Sequence, residues 1–109
     1  MKSVVNFGEL RLKEDYLKLA SLRIEEKELH NAIKKAIDML EENAFCGTQI
    51  PKRQIPAVYY EKYNVKNLWK YNLPKAWRLI YTIKHEEIEV VSIILEWLPH
   101  KEYERKFGY

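Results

Sequence analysis

This chain is poor in the residues that staple, punctuate or anchor a protein. Among 109 residues there is one cysteine, Cys46, so no internal disulfide can form and a reducing compartment is the expectation. Beside Gly47, that thiol reads as a packed small side chain rather than a nucleophile. Glycine occurs three times, at Gly8, Gly47 and Gly108, and never in a cluster, which excludes a glycine-rich phosphate loop. Long apolar runs are missing as well. The longest, Val90 to Leu95, is interrupted by Ser92 and closed by Glu96, far short of a membrane span. The opening MKSVVNFGELRLKED lacks the apolar core of a secretory signal, so the expected setting is cytoplasmic with no membrane partner. The three histidines, His30, His85 and His100, are scattered and have no cysteine beside them, so neither a metal nor a cofactor is expected.

What is present is a globular composition: 47% hydrophobic and 32% charged, with a net charge of +3. That mild excess of cations permits nucleic-acid binding without arguing for it. The length fits one domain over 1–109, with one core between two packed layers and little surface for a second. Val4, Val5 and Phe7 suggest a short strand ended by Gly8. Leu10, Tyr16, Leu17 and Ala20 recur at helical spacing and predict a helix from Glu9 to about Leu22. A second helix is marked by the stripe Leu29, Ala32, Ile33, Ala36, Ile37 and Leu40, led by acidic Glu25 and Glu26 and closed near Asn43 and Gly47. Pro51 and Pro56 then impose a structured loop, with one helical turn expected at 57–63.

The last forty-odd residues read as three strands, at 68–73, 77–83 and 88–97. Pro74, Lys75 and Ala76 join the first two, and Lys84 to Glu87 turn between the second and third. The order β-α-α-β-β-β, with a short C-terminal helix or tail, predicts an α+β domain. Its two N-terminal helices should pack on one face of a largely antiparallel sheet. If Leu73 pairs with Trp77, Asn72 lies opposite Arg78 with Lys70 diagonal to it, and Thr82 shares their face. Trp69, Tyr71, Leu73, Leu79 and Tyr81 then face the helices. Arg78 has two readings: a cross-strand ion pair with Glu89, or a bidentate grip on phosphate. The tail also has two, a frayed end or a short helix with Lys101 and Arg105 on one side and the rings of Tyr103 and Phe107 on another. Lys52, Arg53, Lys62 and Lys66 interleave with Tyr59, Tyr60 and Tyr63, a mix that suits a solvated loop, packing of the rings over a helix edge, or the stacking of single-stranded RNA bases.

The element order, with WRLIYTI, the Val/Ile-rich strand after it and the terminal HKEY, resembles the RelE/ParE superfamily of toxins from type II toxin–antitoxin systems. In its RelE-like branch the resemblance implies a metal-independent endoribonuclease that cuts messenger RNA, in some members on the ribosome. The 2′-hydroxyl attacks the adjacent phosphate, and a cognate antitoxin neutralises the toxin. Arg78 matches the strand arginine that stabilises the phosphate, and Lys70 a lysine on the preceding strand. Tyr103 is similar to the C-terminal catalytic tyrosine, and His100 to a histidine some members use as acid or base. Lys101, Arg105, Lys52, Arg53 and Asn72 are the candidate RNA contacts, Asn72 standing where some members have a second lysine. No acidic residue is assigned as general base. The alternative is a non-catalytic binding protein of the same fold, directed at gyrase or serving interaction alone.

Overall fold

A computed structural model describes residues 1–86 and 88–108; Glu87, expected in a turn, and Tyr109 lie outside the described residues. Strand β1 (Val4–Phe7) leads into helix α1 (Leu10–Leu19), which stops three residues short of the expected end. There the Ser21 backbone and hydroxyl both donate to the Lys18 carbonyl and turn the chain. Helix α2 (Ile24–Glu42) buries Leu29, Ile33, Ala36 and Leu40, the stripe read from the sequence, and carries Glu25 and Glu26 in its first turn. Asn43 ends it and accepts a hydrogen bond from the Phe45 amide.

The stretch expected to be irregular contains one more strand, β2 (Thr48–Gln49), before Pro51 takes the chain off the sheet. Helix α3 (Ala57–Tyr63) covers the expected range. Strands β3 (Trp69–Leu73), β4 (Trp77–His85) and β5 (Val90–Pro99) follow, and the tail forms helix α4 (His100–Phe107). The sheet order is β1-β5-β4-β3-β2, antiparallel except for the β1–β5 pair. Leu73 pairs with Trp77 and Asn72 with Arg78, the register on which the shared face of Lys70 and Arg78 depended.

Two further findings differ from the sequence reading. First, β4 and β5 shift register between Ile80 and Tyr81, which stand opposite Glu96 and Ile94. The extra residue, Leu95, packs on the side of Ile80, while Ile94 packs under the helices. Second, both sheet faces are covered. Under α1 and α2 lie Leu73, Leu79, Tyr81, Ile83 and Ile94. Behind the sheet a second core gathers Ile50, Ile55, Tyr59, Leu68, Ile80, Leu95, Leu98, Tyr103 and Phe107. The single two-layer core is therefore corrected to three layers, because α3 and α4 have apolar sides of their own to bury. Thr82, expected to be presented on that face, is buried instead and donates to the Asn67 carbonyl at 2.8 Å.

Candidate nucleic-acid interface

The tail is docked. Alternation along α4 leaves Lys101 and Arg105 exposed and buries Tyr103 and Phe107, the two sides expected for a short helix. Pro99 directs the chain off β5, and Gly108 closes the helix in a left-handed conformation, φ 77°. Docking brings the tail onto the strand cations. The Lys70 ammonium lies 5.2 Å from the centre of the Tyr103 ring, and the Arg78 guanidinium carbon 5.8 Å from it. Each such contact contributes about 0.5–1 kcal/mol, more where water is excluded.

Arg78 is not paired with Glu89. Its strand register sets it opposite Leu98, whereas Glu89 belongs to the turn at the far end of β4. One guanidinium nitrogen donates to the Trp77 carbonyl at 3.1 Å, and another lies 3.4 Å from His100 Nδ1. The Arg78 Nε is buried without a partner. A buried donor left unsatisfied costs on the order of 1–3 kcal/mol, the kind of cost that a bound anion can offset. The other ring nitrogen of His100, Nε2, contacts Glu104 one turn along α4. Arginine only donates, so a bond between the two requires Nδ1 to accept, in the tautomer that carries its proton on Nε2 beside Glu104.

A line of rings leads from this cluster to a second one. Tyr103 stacks on Phe107 with centroids 4.4 Å apart, and Phe107 lies 5.6 Å from Tyr59. The Tyr59 hydroxyl donates to Glu96 at 2.5 Å, and the Lys106 ammonium reaches the same carboxylate at 3.0 Å. Burial first, and the adjacent Glu96 second, push the Tyr59 phenol well above its ordinary range, so it stays a proton donor. Glu96 thus ties α3 and α4 to β5.

Of the candidate residues, Lys70, Arg78, His100 and Tyr103 come together, with Asn72 exposed directly opposite Arg78. Lys101 follows His100 on the exposed side of α4. Arg105 lines a shallow surface depression with Leu98, Glu102 and Lys106. Lys52 and Arg53 are exposed on a separate turn, flanked by Ile50 and Ile55 of the second core. The sequence reading missed Glu104 and Glu96, and Tyr59, read there among rings able to stack on RNA bases, is buried in the second core. For Glu104 the signal was the four-residue spacing from His100; for Glu96 it was only a polar residue among apolar ones. Among the described residues no group of three or more His, Cys, Asp or Glu could hold a metal ion.

No protein-family model and no curated protein matches this sequence. Among solved structures, a doubly arginine-substituted mutant of the E. coli toxin RelE in the free state matches with a TM-score of 0.50. The match spans 99% of this chain and 96% of that one, at 16% sequence identity. The chain has a RelE-like fold. At that identity the likeness speaks for the fold and not for individual side chains. No helix among the described residues is long and apolar enough to cross a membrane.

Proposed function

We propose that this RelE-like chain is a toxin that cleaves messenger RNA by a metal-independent route and is held in check by a cognate antitoxin. The observation that carries the reading is the convergence of Lys70, Arg78, His100 and Tyr103 on one sheet face. Arg78 and Lys70 bind the scissile phosphate and stabilise the charge that grows on it. The anion draws the guanidinium away from His100 and frees Nδ1, which takes the proton of the 2′-hydroxyl. Glu104 on the opposite nitrogen steadies the imidazolium that results. The 2′-oxygen bonds to phosphorus, the bond to the 5′-oxygen breaks, and that oxygen takes a proton from Tyr103. The products are a 2′,3′-cyclic phosphate and a free 5′-hydroxyl. Lys101, Arg105 and Asn72 hold the flanking strand, and Lys52 and Arg53 extend the contact along the loop.

A second reading, a non-catalytic binder of the same fold, is favoured by one observation: Tyr103 is 2% exposed, its ring enclosed between Phe107 and the two cations. Induced expression separates the two. The enzyme reading expects growth arrest and shortened messenger RNA from the wild type, with both effects lost in Arg78→Ala. Arrest with intact messenger RNA supports the binder, and unimpaired growth with intact messenger RNA counts against the toxin.

A further inference from the structure

A separate feature lies at the other end of β4. The last ladder pair between β3 and β4 is Trp69 with Tyr81. Two residues earlier the chain has left the strand, and the Asn67 side chain replaces backbone. Its amide donates to the Ile83 carbonyl at 2.8 Å and accepts from the Ile83 N–H at 2.9 Å. The next residue of that parity is His85. It pairs with Val90 in β5, and by strand alternation its N–H and carbonyl point away from β5. Among the described residues no strand lies beside it, since the chain ahead of Asn67 dives to Val65 in the second core. The sheet therefore has a notch, bounded by Asn67 at one end and by the β4–β5 turn at the other.

Both sides of the notch are shaped. On the helix side, a cleft of about 370 Å³ is lined by Phe45, Gln49, Asn67, Trp69, Ile83 and His85. Phe45 is 42% exposed there, a large ring left open to water. On the opposite side, a cleft of about 510 Å³ includes Lys66, Thr82 and Lys84, with Glu86 at its turn end. One wall is aromatic and the other, next to Asn67, is cationic.

We propose that this notch binds an extended peptide segment of a partner protein, added as a short strand beside His85, just past the Asn67 side chain that occupies the edge of Ile83. Side chains of an added strand alternate between the two walls. The segment that fits alternates an apolar residue, laid against the contacting rings of Phe45 and Trp69, with an acidic one facing Lys66 and Lys84. A second copy of this chain does not supply it, because its own edge strands read VVNF and TQ and carry no acid. The proposal is independent of any ribonuclease activity, since the notch shares no residue with the Arg78 cluster.

The test uses the isotopically labelled full chain and the peptide acetyl-Glu-Phe-Glu-Val-Glu-amide, followed by amide hydrogen exchange and NMR titration. Alone, the His85 amide should exchange fast while that of Ile83, held by Asn67, is protected. With peptide, His85 should become protected, and Phe45 and Trp69 signals should shift. Methylating the peptide nitrogen of Phe, which faces His85 across the edge, should weaken binding by about tenfold or more. Lys84→Glu, an exposed substitution, should weaken it by a similar factor of about ten. Unchanged His85 exchange at millimolar peptide, equal binding of the methylated peptide, or shifts confined to another surface would each overturn the proposal. So would a concentration-dependent dimer formed through this edge.

Discussion

At the residue scale, the bond from Tyr59 to Glu96 is the most consequential contact behind the sheet. Replacing Tyr59 with Phe removes a hydrogen bond to a carboxylate in a half-buried setting. The expected loss of stability is about 1.5–3 kcal/mol, read from urea unfolding. A change within about 0.5 kcal/mol would mean that Lys106 alone satisfies Glu96. Gly47 is constrained from outside. A methyl group there meets the Lys70 carbonyl and comes within 2.7 Å of the Tyr81 hydroxyl, which also accepts the Gly47 N–H at 3.2 Å. Gly47→Ala should therefore cost about 1–3 kcal/mol and displace β2 from β3; wild-type stability would contradict this packing. Little of this was legible in the sequence. Arg78 and Lys70 stood out as cations inside apolar strands, and their common face followed from alternation and the hairpin. That His100 sits between Arg78 and Glu104, and that Glu96 meets Tyr59, depends on how α3 and α4 dock. Spacing along one strand carries no such information.

At the scale of elements, α4 links the fold to the site. The helix has eight residues and mostly polar side chains, so it has little stability alone and is held by Tyr103 and Phe107. Phe107→Ala should cost about 3 kcal/mol or, if α4 detaches first, appear as local opening. Hydrogen exchange distinguishes these outcomes. Fast exchange in Tyr103–Phe107 with a protected sheet is expected, and uniform loss of protection would place Phe107 in the global core instead. The same reasoning explains which elements were readable. Helix α2 has a long apolar stripe and acidic first turn, and β3 to β5 have dense Ile, Val and aromatic residues. Strand β2 has two residues, and the bulge at Leu95 has no mark that distinguishes it from regular alternation.

At the scale of the whole molecule, a sheet filled on both sides buries phenols in each core. Tyr59 lies behind the sheet and Tyr81 under the helices, and burial is the leading cause that raises both above their ordinary value of 10.0. Such groups stay protonated in the folded chain after their unfolded counterparts have ionised. Their contribution is complete below about pH 10 and is lost as pH rises above it, at up to about 1.4 kcal/mol per pH unit for each phenol. Urea unfolding at rising pH should show stability falling beyond pH about 10, with a shallower fall in Tyr81→Phe. An unchanged slope in that variant would contradict the assigned burial. The α+β class and the two-helix face were readable because apolar periodicity is long-range and redundant. The second core was not, because its members are scattered over the loop at 50–55, α3, the approach to β3, β4, β5 and α4, one or two from each.

Cleavage of a defined messenger RNA is the decisive assay for the role of the basic face. Purified chain is incubated with that RNA, free and on programmed ribosomes, and the ends are mapped chemically. The account predicts fragments ending in 2′,3′-cyclic phosphate and 5′-hydroxyl groups, with the rate lowered about a hundredfold or more in Arg78→Ala and substantially in His100→Ala. Intact RNA under both conditions, or equal cutting by the wild type and both variants, would contradict it.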